Sequence, residues 1–375
     1  MPEAKVRLPY IRTVLQDMPQ KFDPPTLGHL RHAGYETSAL RLMGLNECLF
    51  PPSPRALAAI AANLSTINRY PDAQCPAVAD VVAARTRIPP ERIVWGNGSE
   101  ELIKGAVDLS SGPGNSVVLP VPTFWGYRAI IQASGAALLE SRNREDGMPD
   151  VRQMVERVQT DTRLVFCITP NNPSGALLPR EDLAFLASNV PAAALLFIDE
   201  AYHEFAVYAG GPDVLDVMRT RAGPWIVART FSKAYAMAGM RIGYALCSSD
   251  AVAQALKKTT CVFNVPILAQ AAALAALDDS LYLQEILSRT AAGREQLATG
   301  LRQLALITLN SVGNFVSVRV PRPGRQVVMA MLERGIQLHA WPDEGYEHYI
   351  RITVGDVEDN DACLAALREV LAPNS

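Results

Sequence analysis

Between residues 92 and 247, short apolar runs rich in β-branched residues alternate with segments of helical periodicity, and this alternation limits the possible folds more than any other feature. The predicted strands are Arg92–Trp95, Ser116–Val121, Arg163–Thr169, Ala194–Ile198, Trp225–Arg229 and Ile242–Cys247, and the predicted helices between them include Glu100–Leu109, Val151–Val158 and Arg180–Ala187. Such alternation is typical of a mostly parallel sheet with helices on both faces. We therefore predict an α/β fold with a three-layer αβα arrangement.

The remainder of the chain differs in character on the two sides of this region. Residues 1–45 contain prolines, glycines and charges without clear periodicity, and two helical segments follow, Pro54–Leu64 and Ala77–Arg85. A long helical pattern covers Ala269–Leu306, and the C-terminal segments are strand Phe315–Val320, helix Arg325–Arg334, strand Tyr349–Val354 and helix Asn360–Leu371. We predict an N-terminal arm over residues 1–45, a large domain over 46–274 and a smaller α+β domain over 275–375.

The composition is that of an ordinary globular protein, with 49% hydrophobic residues, 19% charged residues and a net charge of −3. It gives no electrostatic reason to expect nucleic acid or a membrane surface as a partner. No apolar run approaches the ~18 residues of a spanning helix, and Met1–Tyr10 lacks the apolar core of a signal peptide. The six cysteines are scattered without a C-x-x-C pair, which favours a reducing, cytoplasmic location. No metal site is predicted, since no second histidine follows His203-Glu204 at helical spacing.

The segment from Thr230 to Ile242 indicates a specific chemistry. Lys233 lies among apolar and small residues, where poor hydration favours the neutral amine that can condense with an aldehyde. The hydroxyls of Thr230 and Ser232 and the guanidinium of Arg241 would complement a dianionic phosphate. A lysine combined with a phosphate site is what a pyridoxal phosphate enzyme requires. The alternative for this segment alone is a helix start with a solvated lysine and a structural arginine.

Two turns follow predicted strands and could contact a ligand. Gly96–Glu101 precedes an apolar helical run, and its glycines would let the backbone approach an anion, although such turns are often only structural. In Thr169–Gly175, two prolines bracket two asparagines at the end of a strand. The carboxyl edge of a parallel sheet is where such folds bind ligands, which favours a functional role over a plain turn.

Charged and aromatic side chains at other strand ends complete the set. Asp199, after an apolar strand, could keep a pyridine nitrogen protonated, and Tyr202 could donate to the phenolic oxygen of the same ring. An aromatic in Pro122–Tyr127 could stack on the ring, although such aromatics are more often core residues. Arg351 lies inside an apolar strand and needs an anionic partner, either a substrate carboxylate or a structural carboxylate. The order of these signals along one chain favours a single complete site.

From about Leu45 to the C-terminus the chain resembles the fold-type I pyridoxal phosphate aminotransferases, especially the histidinol-phosphate aminotransferase group. The matching motifs are Asn46-Glu47 with Pro52-Ser53-Pro54, Arg69–Asp72, Gly96–Leu102, Asn171–Gly175, Asp199–Tyr202 with Glu204-Phe205, Thr230–Gly243, Asn314-Phe315 and Arg351–Gly355. The resemblance implies an aspartate aminotransferase-like fold, pyridoxal 5′-phosphate as cofactor, and an amino donor and a 2-oxo acid as small-molecule substrates.

The resemblance also implies roles for individual residues. Lys233 would hold the cofactor as a Schiff base and shuttle a proton, Asp199 would pair with the pyridine nitrogen, and Phe124 would stack on the ring. The ring hydroxyl would be contacted by Asn172 and Tyr202, and the phosphate by Ser99, Thr230, Ser232 and Arg241 with backbone at Gly98 to Glu100. Tyr70 would reach the phosphate site of a neighbouring subunit, which implies a homodimer with shared active sites. Arg351 would bind the acidic group of the substrate.

Departures from the family pattern concern the substrate. The family's Asn-Glu-Asn-Pro run reads Asn46–Leu49 here, and His339 with Trp341 follows where histidinol-phosphate enzymes usually carry an arginine for the substrate phosphate. Histidinol phosphate with 2-oxoglutarate is the leading interpretation. An aromatic or other amino acid in a specialised pathway is the alternative, because an imidazole and an indole favour an apolar pocket. Decarboxylation is a second reaction class. A non-catalytic cofactor-binding regulator is disfavoured, because such proteins usually carry a DNA-binding domain and residues 1–45 are neither basic nor helical enough to supply one.

Overall fold

The computed structural model describes residues 9–19 and 26–372, and the predicted N-terminal arm therefore lies partly outside the described residues. The helices are α1 Thr13–Asp17, α2 Leu27–His32, α3 Pro54–Asn63, α4 Pro76–Thr86, α5 Gly98–Ser110, α6 Gly126–Ser134, α7 Val151–Glu156, α8 Arg180–Asn189, α9 His203–Tyr208, α10 Val214–Met218, α11 Asp250–Lys257, α12 Ile267–Leu277, α13 Ser280–Gln303, α14 Gly324–Leu332 and α15 Val357–Leu371. No helix in these two stretches is long and apolar enough to cross a membrane.

The strands are β1 Arg41–Leu42, β2 Ile93–Gly96, β3 Ser116–Val121, β4 Ala137–Arg142, β5 Thr162–Ile168, β6 Leu195–Asp199, β7 Trp225–Thr230, β8 Gly243–Cys247, β9 Ile307–Thr308, β10 Phe315–Arg319, β11 Ile336–Gln337, β12 His339–Ala340 and β13 Tyr349–Thr353. Each strand predicted between residues 92 and 247 is present, with its ends displaced by at most a residue or so. The strand β4 was not predicted from the sequence, and the long helix predicted from Ala269 is in fact two helices, α12 and α13.

Seven of the described strands form one sheet in the order β2-β8-β7-β6-β5-β3-β4. All neighbours are parallel except β8, which runs antiparallel to both β2 and β7. The inner strands β5, β6 and β7 are buried at every position except Arg163 in β5, which explains their largely continuous apolar sequences. Two apolar cores cover the two faces of the sheet, one containing α4, α8 and α10 and the other α5 and α6. The predicted α/β, three-layer architecture is confirmed.

The C-terminal strands form a separate antiparallel sheet in the order β12-β13-β10-β9, with α13, α14 and α15 packed in its core. A short preceding segment joins this unit rather than the large sheet. β1 pairs in parallel with β11, and Met43 is fully buried in the same apolar core. The chain after Met43 then crosses to the large sheet, so residues 44–47 lie between β13 and the end of β7.

Candidate active site

A cavity of about 540 Å³ opens at the edge of the large sheet where its parallel strands end. Most of the predicted site residues line it: Ser99, Glu100, Phe124, Asn172, Asp199, Tyr202, Thr230, Ser232, Lys233, Arg241, His339 and Arg351. They converge because the loops after β2, β3, β5, β6 and β7 leave the sheet at one edge, where β8 also begins.

Lys233 follows β7, and its amine is held by the chain that crosses between the two sheets. Nζ donates to the carbonyl oxygen of Asn46 at 2.9 Å and to that of Leu45 at 3.4 Å. Burial, followed by the positive charge of Arg351, lowers the pKa of Lys233 to about 8. A lysine with this pKa has roughly a tenth of its amine neutral at pH 7, so it can act as a nucleophile or as a base.

Backbone donors and a guanidinium meet at the start of α5. The helix begins at Gly98, and the first N–H groups of a helix lack intrahelical partners. Arg241 crosses above this turn, with Nη2 donating to the carbonyl of Asn97 at 3.3 Å. Gly98 has φ +72°, and a side-chain carbon at this position would collide with the Arg241 guanidinium. The turn therefore favours glycine for its backbone conformation, and a side chain at this position would displace the Arg241 guanidinium.

Two buried hydroxyls face the same region from the end of β7. The hydroxyls of Thr230 and Ser232 are 2.9 Å apart, and the backbone N–H of Ser232 donates to Thr230 Oγ1 at 3.1 Å. These hydroxyls, the first N–H groups of α5 and the Arg241 guanidinium are all hydrogen-bond donors, and the guanidinium adds one positive charge. Such a set suits a dianionic phosphate.

Asp199 ends β6 and is held by two donors. The hydroxyl of Tyr127 donates to its Oδ2 at 2.6 Å, and the backbone N–H of Ala201 donates to its Oδ1 at 2.9 Å. Burial raises the pKa of Asp199, and the hydrogen bond from Tyr127 opposes that rise. Tyr127 is fully buried on α6 and was missed by the sequence analysis, which considered its segment only as a source of a stacking ring. Its hydroxyl fixes the carboxylate in place.

Phe124 and Tyr202 bring two aromatic rings to the cavity. Phe124 lies on the loop after β3 and contacts Trp125 with ring centres 5.0 Å apart. Tyr202 is buried, packs edge-on against Phe315, and accepts a hydrogen bond at its hydroxyl from Asn46 Nδ2 at 2.9 Å. Burial raises the pKa of Tyr202 to about 12, so the phenol stays protonated and can donate a hydrogen bond.

Arg351 lies in β13 and is the cation on the side of the cavity formed by the small sheet. Its Nη1 donates to Asn172 Oδ1 at 2.5 Å, and its Nη2 donates to the carbonyl of Gly44 at 2.7 Å. Its Nε is buried without a hydrogen-bond partner among the described residues. Burial lowers the pKa of Arg351 to about 10, so the group remains charged at neutral pH. A buried guanidinium with an unused donor suits a carboxylate ligand.

His339 and Trp341 occupy different environments although they are two residues apart. His339 lies directly across from Arg351 in the β12–β13 pair and lines the cavity. Burial, followed by the charge of Arg351, lowers the pKa of His339 to about 3, so its imidazole is neutral. Trp341 lies outside the cavity lining and stacks on Tyr349 at 4.9 Å. The backbone N–H of Trp341 still donates to the Tyr349 carbonyl at 3.1 Å, so Trp341 lies on the same face of the sheet as His339 but farther along it, beyond the cavity.

Tyr70 is far from complete burial and does not line the cavity of its own chain. The residue is 82% exposed, and its ring stacks on that of Phe263 with ring centres 4.8 Å apart. The predicted contact of Tyr70 with a phosphate in a neighbouring subunit stays a prediction.

Residues 40–367 match the sequence family named aminotransferase class I and II, which covers most of the chain. The chain belongs to this family. A relative from Pseudomonas aeruginosa named histidinol-phosphate aminotransferase 2 is 36% identical over 342 residues, covering 91% of this chain and 92% of the relative. The histidinol-phosphate aminotransferase of Sinorhizobium meliloti, solved in complex with pyridoxal-5′-phosphate, superimposes with a TM-score of 0.89 at 28% identity, covering 98% of this chain and 99% of that one.

A double mutant of Thermus thermophilus aspartate aminotransferase has a TM-score of 0.82 at 21% identity, covering 96% of this chain and 99% of that one. This likeness shows the fold and confirms the aspartate aminotransferase-like prediction. Membership of the family confirms that the chain is an aminotransferase with pyridoxal phosphate as cofactor. The roles of the individual site residues stay predictions.

Proposed function

We propose that this aminotransferase acts on histidinol phosphate as amino donor and 2-oxoglutarate as acceptor. The observation that carries the choice is the 36% identity, over more than nine-tenths of both chains, to a relative named for that donor. The cavity supports an acceptor with a carboxylate, because Arg351 places a buried guanidinium with a free Nε at one side. We further propose that the chain divides into an arm over residues 1–45, a large domain over 46–274 and a small domain over 275–375.

The residues present fit the cofactor group by group. The start of α5, the hydroxyls of Thr230 and Ser232 and the guanidinium of Arg241 fit its phosphate, since all are donors. The carboxylate of Asp199 fits a protonated pyridine nitrogen, because a positive partner would compensate its burial. Lys233 provides the amine.

Each group then has an assigned task. When bound, pyridoxal phosphate supplies a ring that stores the electron pair left at the α-carbon of the donor. Asp199 would keep the pyridine nitrogen protonated, and Phe124 would cover a ring face and exclude water. Tyr202 and Asn172 would contact the ring hydroxyl. Lys233 would remove the proton from the α-carbon of the donor and return it at the C4′ carbon of the cofactor. The lowered pKa of Lys233 permits this, because part of its amine is neutral and can accept a proton.

A second donor class is favoured by one observation. The neutral imidazole of His339 lies across from Arg351, and Trp125 also lines the cavity. An uncharged imidazole contributes no positive charge to a phosphate, whereas an indole and an imidazole would suit an aromatic donor. Replacing His339 by arginine should therefore improve the use of a phosphorylated donor if this residue controls the pocket.

The deciding experiment is a titration of the visible absorption of the holoenzyme with single amino donors in the absence of acceptor. Histidinol phosphate, glutamate, and aromatic and basic amino acids form the panel. Conversion of the cofactor to its amine form by histidinol phosphate supports the proposal, whereas conversion by an aromatic amino acid alone supports the second donor class. Release of carbon dioxide without dependence on an oxo acid would identify a decarboxylase.

The unit of activity proposed here is a homodimer with shared active sites in the cytoplasm. The exposed ring of Tyr70 supports this proposal, since a tyrosine held against Phe263 at the surface could reach a neighbouring subunit. Sedimentation and a mixture of Tyr70→Phe and Lys233→Ala subunits would test it. If the sites are shared, the activity of the mixed dimer should differ from the mean of the activities of the two variant homodimers.

A further inference from the structure

Asn46 forms hydrogen bonds with both Lys233 and Tyr202, although it has no assigned role in the site. It is 1% exposed and adopts a left-handed backbone with φ +54°. Its side chain and both of its backbone polar groups are engaged with residues that are far away in the sequence. The left-handed conformation is uncommon outside glycine, and asparagine is among the residues that tolerate it best.

The side chain of Asn46 is oriented by one partner and aimed at another. Thr353 Oγ1 donates to Asn46 Oδ1 at 3.3 Å and accepts from the Asn46 backbone N–H at 3.0 Å. With the amide oxygen on Thr353, the other end of the amide faces Tyr202, and Nδ2 donates to the Tyr202 hydroxyl at 2.9 Å. An amide nitrogen can only donate. It therefore uses a lone pair of the phenol and leaves the phenolic proton available to the cavity.

The backbone of Asn46 acts on the other group with a proposed chemical role. Its carbonyl oxygen accepts from Lys233 Nζ at 2.9 Å and from Asn314 Nδ2 at 3.1 Å. The left-handed backbone conformation lets one residue direct its side-chain amide toward Tyr202 and its carbonyl oxygen toward Lys233. The residue thus joins the lysine to the tyrosine.

Asn46 also connects these two groups to the strand of the anion-binding arginine. Thr353 is two residues from Arg351 in β13, and residues so spaced lie on one face of a strand. The Arg351 guanidinium donates to the carbonyl of Gly44, and the Thr353 backbone N–H donates to the carbonyl of Met43 at 2.8 Å. The segment before Asn46 therefore follows β13.

We propose that Asn46 is a positioning residue that directs the Tyr202 proton into the cavity and holds the Lys233 amine in register with the Arg351 strand. The inference rests on the proposed function, because it acts through the roles assigned there to Tyr202 and Lys233. Without the amide, the phenol is a weaker donor toward the ring oxygen of the cofactor. Anionic ring oxygen is then less stabilised, and the pH midpoint of the holoenzyme's visible absorption rises.

Asn46→Gly is the main test, because glycine adopts φ +54° without strain and keeps the three backbone hydrogen bonds while removing only the side-chain amide. We expect kcat to fall roughly 10-fold, as for loss of one hydrogen bond to a buried partner, and the absorption midpoint to rise. Asn46→Asp places an acceptor opposite the phenol, captures its proton, and should raise the midpoint further. The affinity for pyridoxal phosphate should change little in either variant, since the phosphate donors are untouched.

The matched control is Ala305→Gly, which changes another left-handed residue, φ +57°, at the end of α13 away from the cavity. It should leave kcat and the absorption midpoint as in the wild type. Should Asn46→Gly fail to fold, Thr353→Val keeps the residue at position 46 and removes the partner of the amide oxygen together with the acceptor of the Asn46 backbone N–H. It should lower kcat and move the midpoint in the same direction.

Tyr202→Phe separates failure of this inference from failure of the proposed function. If Tyr202→Phe raises the midpoint and Asn46→Gly does not, the inference about Asn46 is overturned while the role of Tyr202 stands. If Tyr202→Phe leaves the midpoint unchanged, the role of Tyr202 and the inference built on it are both overturned. A kcat within twofold of wild type for Asn46→Gly and Asn46→Asp also overturns it.

Discussion

A buried ion pair directly behind the cavity gives the strongest prediction about stability. Glu200 is the residue after Asp199. The Glu200 carboxylate accepts hydrogen bonds from Arg229, from Nε at 2.9 Å and from Nη2 at 2.8 Å, and it lies 3.1 Å from His203 Nδ1. The Glu200 and Arg229 side chains are 3% and 7% exposed. Replacing Glu200 by glutamine keeps the shape but leaves a buried guanidinium without its counter-charge. We expect Glu200→Gln to lower the free energy of unfolding by about 3 kcal/mol.

The same magnitude follows from the protonation of Glu200. Burial would raise its pKa, but the charges of Arg229 and then His203 outweigh burial and lower it from 4.5 to about 2. At about 1.4 kcal/mol per unit, this lowering corresponds to about 3 kcal/mol. A depressed carboxylate pKa stabilises the fold above pH 4.5, and the stabilisation is lost as the pH falls toward 2. The wild type should therefore lose about half of this contribution by pH 3, and Glu200→Gln should lose none of it.

Urea unfolding followed by tryptophan fluorescence, at one protein concentration and at pH 7, 5 and 3, measures both effects. Arg229→Met should be destabilising for the converse reason, because it leaves the carboxylate buried. The double variant Glu200→Gln/Arg229→Met should cost at least about 2 kcal/mol less than the sum of the single changes. A loss below 1 kcal/mol for Glu200→Gln, or equal pH dependence of variant and wild type, would refute the reasoning.

Three further predictions concern the cavity. Lys233→Ala should lower the rate of amino transfer by roughly 10²–10⁴-fold, measured in single turnovers with the cofactor-bound protein, and an unchanged rate would remove lysine from the mechanism. The rate at which the apoprotein takes up pyridoxal phosphate should rise with pH around a midpoint of about 8, the pKa of Lys233. Arg351→Gln should raise that midpoint, because the positive charge of Arg351 is one cause of the low Lys233 pKa. Stopped-flow absorbance measures both effects, and an unshifted midpoint in the variant would contradict the electrostatic argument. Gly98→Ala should weaken cofactor binding about 10-fold, because its methyl group would displace the Arg241 guanidinium and a hydrogen bond to a charged group is worth about 1.5–3 kcal/mol. A fluorescence titration with unchanged affinity would contradict this.

Strand positions were predictable where burial controls the sequence. β5, β6 and β7 are covered on both faces, so their apolar runs are continuous and their ends are marked by polar residues. β4 was missed because it is an edge strand with largely exposed or half-exposed positions, and its sequence therefore lacks a continuous apolar run. The break between α12 and α13 falls at Asp278-Asp279, a short interruption that helical periodicity on both sides concealed.

Residues at strand ends were likewise predictable, because a parallel sheet brings the ends of its strands together. This rule placed Asp199, Lys233 and Asn172 at one cavity. Trp341 was expected at the substrate site by its nearness to His339, but the structure instead buries its ring against Tyr349. Two residues along a strand span about 7 Å, so Trp341 can share a face with His339 and still lie beyond the cavity.

The side chains that hold the chemical groups in place could not be found in this way. Tyr127 reaches Asp199 across 72 residues, and Asn46 reaches Thr353 across 307. Tyr127 lies in a segment predicted only to supply a stacking ring, and Asn46 lies in a matching motif without an assigned role. Each acts through a contact that is made only when distant segments pack. A motif can identify the group that reacts, since its residue type is constrained by the reaction. The side chain that orients the reacting group only has to be long enough to touch it and to be a hydrogen-bond donor or acceptor as needed. Many residue types meet these two conditions.

Electrostatics connects the separate parts of the cavity. Arg351 and Arg241 both lower the pKa of Lys233, while Asp199 and Glu47 oppose them. A bound phosphate would neutralise Arg241, and a bound carboxylate would neutralise Arg351, so each anion would reduce the effect that keeps the lysine partly neutral. The lysine is therefore most nucleophilic when the cavity lacks anions and becomes a stronger base as they bind. That sequence suits a residue that must first condense with the cofactor and afterwards accept a proton from the substrate.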